Sequence, residues 1–174
     1  MNPSNWFQRE FASGIPLTMF PNLIERLRGT PARLEERLRG LPRELMVARR
    51  GDKWSIQEHA GHLLDLEALD LGRLDDFEAC ADILRAADLK NRGTYEANHN
   101  AETIEEILSS LRQERGKFVR RLEGYDELFI RRQALHPRLH QPMSVVDLMF
   151  FIAEHDDHHL AKITELLRSG ESNL

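Results

Sequence analysis

The sequence predicts an all-α protein, a four-helix bundle, and three observations carry that prediction. Apolar residues recur at helical spacing through four long stretches, and no strong alternating pattern competes with them. A serine or threonine followed three residues later by an acid opens three of these stretches. Charged residues make up 30% of the chain against 41% hydrophobic, which fits helices with one buried stripe and solvated outer faces.

The first helical region runs from about Pro16 to Gly40, with Leu23, Leu27, Leu34 and Leu38 on one stripe. Gly29-Thr30-Pro31 should kink or break it, because proline removes a backbone donor. Thr30 is expected to cap the second half with Pro31 in its first position, and Gly40 and Pro42 to stop it. The second helix begins at Ser55, where Ser55-Ile56-Gln57-Glu58 reads as a capping box. Ile56, Leu63, Leu66, Leu74 and Phe77 form its apolar side. Asn91, Gly93 and Asn98 mark Cys80 to Ala101 as mostly loop, long enough to cross an end of the domain.

A second capping box, Thr103-Ile104-Glu105-Glu106, opens the third helix. Ile104, Ile107, Leu108, Leu111, Phe118 and Leu122 follow its period, and Arg115 falls in the middle of that stripe. Such an arginine usually snorkels to the surface, and pairing with an acid inside the bundle is the alternative. An irregular segment follows Gly124. Ser144-Val145-Val146-Asp147 then opens the last helix, expected to run to about Arg168 and stop at Gly170. The long second connection implies at least one crossover.

At 174 residues the chain suffices for a single domain, residues 1–174, with its own core. The net charge is −5 with acids and bases interleaved, so no basic block points to nucleic acid. Cys80 is the one cysteine, which excludes an intramolecular disulfide and a four-cysteine zinc site and fits a reducing cytoplasm. Met1 to Arg9 lacks an apolar signal core, and no run is long enough to span a bilayer. These features give the expectation of a cytoplasmic protein with no membrane partner.

Chemistry concentrates in Glu154-His155-Asp156-Asp157-His158-His159. With Ile152 as zero and about 100° per residue, His159 falls near −20° and His155 near −60°, both toward the core. His158 falls near −120°, on the flank, where a surface position is expected. His155 and His159 are four residues apart and neighbours on one face, so a shared metal would satisfy one nitrogen of each. Two buried histidines with ordinary hydrogen bonds are the plainer reading of the same pair. Asp156 falls near +40° on that face, where it would orient a ligand, act as a catalytic base or pair with Arg115. The second helix offers His59 and His62, and periodicity does not choose between them. His99, His136 and His140 lie in expected loops, where histidines are mostly solvated.

Two segments carry a family resemblance. Trp54-Ser55-Ile56-Gln57-Glu58-His59-Ala60-Gly61-His62-Leu63 and Phe150 to His159 resemble the tryptophan-led Gly-His-Leu helix start and the His-x-x-His-His signature of DinB/YfiT-like four-helix-bundle proteins, often described as metal-dependent hydrolases. Their order and separation extend the resemblance over nearly the whole chain. It implies a bundle of up-down-down-up connectivity, a homodimer, and a metal site of His62, His155 and His159. It thereby selects His62 over His59. The family often carries glutamine just after its histidine cluster, where this chain has Lys162.

Three neutral imidazoles suit a divalent ion such as zinc or nickel and leave a coordination position open. The resulting chemistry would activate water against a small amide or ester, or a low-molecular-weight thiol against an electrophile. His59, His158, Glu58, Asp65 and Arg115 are expected around the ligands, Glu58 already having a capping role. A non-catalytic metal-binding or dimerisation module, stress-related, is the alternative.

Overall fold

The computed structural model describes residues 5–171, so the first four residues of the Met1–Arg9 stretch lie outside the described residues. The elements are α1 (Phe20–Arg28), α2 (Thr30–Leu38), α3 (Arg43–Val47), α4 (Ile56–Glu78), α5 (Arg92–Ala97), α6 (Ile104–Glu123), α7 (Glu127–Ile130), β1 (Gln133–Leu135), β2 (Pro142–Ser144) and α8 (Val145–Glu171). The pair α1/α2, with α4, α6 and α8, makes the four-helix bundle.

Contacts between elements define the topology. The α1/α2 arm packs on α6 and α8, and α4 packs on the same two helices. The first arm therefore lies diagonally across from α4. Side-chain contacts fix the directions. Ile15 N donates to Asp147 Oδ1 at 2.8 Å while Arg37 reaches Thr164, so the first arm and α8 run parallel. Leu74 and Phe77 at the end of α4 share a core with Val145 and Leu148 at the start of α8, so those two run antiparallel. The start of α6 lies beside the start of α4, because Gln57 Nε2 donates to the carbonyl of Glu102 at 3.0 Å. Up-down-down-up connectivity follows.

The expected capping boxes form. Ser55 Oγ accepts from Glu58 N at 3.1 Å and Glu58 Oε2 accepts from Ser55 N at 2.9 Å. Thr103 and Glu106 repeat the exchange, as do Ser144 and Asp147. Four readings need correction. Thr30 does not cap α2: it lies in the helix, and its hydroxyl donates across the bundle to Asp156 Oδ2 at 2.7 Å. The last helix continues through Gly170 to Glu171. The segment after Cys80 contains α5, bracketed by Asn91 and Asn98 in the left-handed region at φ 51° and 52°, which asparagine tolerates. It crosses no end of the bundle but returns lengthwise along α4. Finally, the irregular segment after Gly124 holds α7 and the hairpin β1–β2, with Ala134 paired to Met143. Leu84 N donates to Leu135 O at 3.0 Å, tying the hairpin to the crossover.

Two apolar clusters fill the bundle. One gathers Leu23, Leu27, Phe77, Phe118 and Leu148, and the other Leu34, Leu38, Leu63, Leu111 and Ile163. Between them lies a layer of ions. Arg115 is 2% exposed, and its Nε donates to Glu67 Oε1 at 2.7 Å. Its Nη1 and Nη2 donate to Asp156 at 2.6 and 3.2 Å. The snorkelling expected of Arg115 thus gives way to burial, because two carboxylates on neighbouring helices meet its guanidinium. No helix of the described residues is long and apolar enough to cross a membrane.

Candidate metal centre

Nearly two turns into α4, and about three and four turns into α8, the bundle brings His62, His155 and His159 together, with one nitrogen from each within 4.8 Å of the others. The spacing comes from the helices. His155 and His159 stand on adjacent turns of α8, and their Nε2 atoms are 3.2 Å apart. Two nitrogens at tetrahedral angles on a zinc ion are ~3.3 Å apart, given Zn–N bonds of about 2.0–2.1 Å. The pair therefore already has the spacing of a ligand edge.

The outer nitrogens are committed in ways that leave the inner ones for an ion. His62 Nδ1 lies 2.9 Å from Thr94 Oγ1, whose hydroxyl donates to Asp65 Oδ2 at 2.7 Å. With that hydroxyl proton spent on Asp65, His62 Nδ1 must carry the donor hydrogen, which leaves the Nε2 lone pair for the site. His159 Nδ1 lies 2.8 Å from His59 Nδ1, so His59 orients a ligand instead of joining the trio. Burial keeps these imidazoles neutral, as metal ligation requires. It pushes His62 down to about 4 and holds His155 and His159 well below the usual histidine range, the neighbouring imidazoles adding to the effect. The donor set, its spacing and its protonation fit a divalent ion.

Asp65 is itself held. His99 Nε2 lies 3.0 Å from both its oxygens, and His99 Nδ1 lies 3.0 Å from Glu102 Oε1. The hydrogen bond to Asp65 raises the His99 pKa against the effect of burial. His99 is buried, not solvated, because the ring lies against Gly61, where an added Cβ would come 2.2 Å from it. His136 is buried too, at 2% exposure, whereas His140 is exposed as expected. The remaining expected neighbours sort themselves by their partners. Glu58 is occupied by Ser55 and by an ion pair with Arg49. His158 is half-buried against Trp6 at 5.6 Å and His159 at 5.4 Å, not fully at the surface. Of the roles open to Asp156, the pairing with Arg115 forms, and Thr30 engages the same carboxylate. Lys162 pairs with Glu165 at 3.1 Å.

The trio opens on a cavity of about 620 Å³ with a mainly apolar wall. Two tryptophans flank the histidines. Trp54 lies 4.7 Å from the His62 ring and Trp6 lies 4.8 Å from the His155 ring. Trp6 belongs to an N-terminal 3-10 turn, Trp6–Gln8, that packs with Phe11 on Phe151 of α8. Sequence reasoning missed Trp6 and Thr94, since neither sits in a motif and each reaches the site only through tertiary packing.

The structure is similar to a solved structure described as YfiT from Bacillus subtilis, a probable metal-dependent hydrolase with an unusual four-helix bundle topology. The TM-score is 0.78 over 94% of each chain at 18% identity, a likeness of fold. No curated protein matches the sequence. The DinB superfamily pattern matches residues 26–163, and the chain belongs to that superfamily.

Proposed function

We propose that this protein is a metal-dependent hydrolase of small molecules, with His62, His155 and His159 holding a divalent ion, zinc or nickel, beside the cavity. The observation that carries the reading is the convergence of three neutral imidazoles, two buried and that of His155 half-buried, on one point at the wall of that cavity. YfiT, which shares the fold, is described as a probable metal-dependent hydrolase. With three protein ligands a coordination position stays open, and a bound ion there supplies Lewis acidity and makes water more acidic.

The chain's own residues do the rest. Asp65 and Thr94 hold the proton on His62 Nδ1, and His59 fixes the ring of His159. Trp6 and Trp54 shield the trio from bulk water and strengthen the local electrostatics. Asp156 is a positioning residue: by fixing Arg115 and Thr30 it holds the turn of α8 between His155 and His159.

A panel of aryl esters and amides tests the reading. Turnover should appear with zinc or nickel, disappear with chelator, and be absent from a His155→Ala, His159→Ala variant. Metal-dependent consumption of a low-molecular-weight thiol with an electrophile, and no hydrolysis, would reassign the chemistry to thiol transfer. Stoichiometric metal binding with neither reaction would make the protein a metal-binding module.

A further inference from the structure

The cavity has a second polar region, apart from the histidine trio, built on the β1–β2 hairpin loop and α4. His136 Nδ1 accepts from the backbone N–H groups of Arg138 and Leu139 at 3.3 and 3.1 Å, which puts the ring hydrogen on Nε2. That Nε2 is buried and has no hydrogen-bond partner among the described residues, and neither has Nη2 of Arg138. Both residues line the cavity. A buried donor without a partner costs free energy, so two in one wall point to a ligand that accepts from both.

The charge at this region is positive. Arg73 is 3% exposed and also lines the cavity, its Nη1 lying 3.8 Å from Asp70 Oδ1. Arg138 has no carboxylate within salt-bridge distance among the described residues. Its guanidinium instead lies over aromatic rings, 5.9 Å from Trp6, 5.6 Å from Phe7 and 5.6 Å from Phe151. Asp70 answers one arginine and leaves one cation unanswered. The other carboxylates on the cavity wall, Asp52 and Asp88, are exposed.

We propose that His136 and Arg138 form a subsite for a monoanionic carboxylate, so that the substrate is a small carboxylate-bearing molecule whose reactive group reaches the histidine trio. One negative charge balances the surplus cation, and the two oxygens of a carboxylate accept from the two unpartnered donors. A dianion would face Asp70 as a like charge. Trp6 spans the two regions, its ring lying 4.8 Å from His155 and 5.9 Å from the Arg138 guanidinium, so a compact molecule can occupy both. The word substrate rests on the hydrolytic reading, whereas the subsite is made of residues that do not ligate the metal.

Calorimetric titration of the whole protein, metal-free and zinc-loaded, with benzoate, benzamide and inorganic phosphate tests this. Benzoate should saturate one site in both forms, and benzamide and phosphate should bind about tenfold more weakly or not at all. Arg138→Gln should weaken benzoate by about tenfold or more and leave the zinc stoichiometry unchanged. Arg138→Lys, which keeps the charge but not the fork, should fall between; it serves also if the glutamine variant loses its helical circular dichroism. Equal binding of benzoate and benzamide, preference for phosphate, or full affinity in both variants would overturn the subsite. Benzoate binding seen only in the zinc-loaded form would overturn it too, by making the carboxylate a metal ligand. Loss of zinc binding with benzoate binding intact would count against the metal site alone.

Discussion

Gly61 shows how one atom governs the site at the residue scale. It sits between the two candidate histidines of α4, and the His99 ring occupies the space a side chain would take, 2.2 Å from a built Cβ. His99 in turn holds Asp65, which holds Thr94, which holds His62. Gly61→Ala should push His99 away and weaken metal affinity by roughly 10–100-fold, the usual cost of losing an outer partner of a ligand. Competition with a chromophoric chelator reads this directly, and an unchanged affinity would show that the chain from His99 to His62 does not matter. Thr94→Val should act in the same direction, because it removes both hydrogen bonds of the hydroxyl. None of this was legible from the residues around His99. An asparagine- and glycine-containing stretch reads as solvated loop, and its burial depends on a lengthwise return along α4 that no local pattern encodes.

At the scale of elements, the ion layer decides how α4, α6 and α8 register. Arg115 comes from α6, Glu67 from α4 and Asp156 from α8, with Thr30 of α2 closing the set. Removing the cation alone leaves two buried acids, Glu67 and Asp156, without their shared partner, so Arg115→Met should cost about 3–5 kcal/mol of stability, measured by urea unfolding. Replacing the whole set, Arg115→Met with Glu67→Met and Asp156→Leu, should recover most of that loss. Should the triple variant also keep full metal affinity, the layer is structural; a triple variant as unstable as the single one would contradict the account. Elements opened by local signals were the readable ones. Ser55 with Glu58, Thr103 with Glu106 and Ser144 with Asp147 each close within four residues, so the sequence contains the whole interaction. Ser55→Ala should accordingly cost about 1 kcal/mol in the same unfolding assay. Thr30 looked like another such cap and is not, because its partner Asp156 is 126 positions away. Arg115 did announce itself, as a charge in the middle of an apolar stripe, but not which acids it would meet.

For the molecule as a whole, the same burial that shapes the site sets its response to pH. His59, His62 and His136 are pushed down to about 3, 4 and 3 by burial, from an ordinary 6.5. The unfolded chain therefore binds more protons than the folded one as pH falls below 6.5, and metal-free stability drops through the window down to about 3. Glu67 works in the opposite sense. Burial pushes it up to about 8 from an ordinary 4.5, against the pull of Arg115, so its contribution is full below 4.5 and lost as pH rises through about 8. Its Oε2 has no hydrogen-bond partner, which costs less on a neutral acid than on a carboxylate. Metal-free stability should thus peak near neutrality, and Glu67→Gln should flatten the alkaline side of a urea-unfolding profile and steepen the profile between pH 4.5 and 6.5, where Glu67 opposes the histidines.

The histidine trio is the claim on which the rest depends, and the metal content of the intact protein, purified without a histidine tag, tests it most directly. Mass spectrometry should find one divalent ion per chain, lost when His155 and His159 are both replaced by alanine. It should be retained when His158, whose half-buried ring lies outside the trio, is replaced instead. An undiminished metal content in the double variant would contradict the assignment of His62, His155 and His159 as a metal centre.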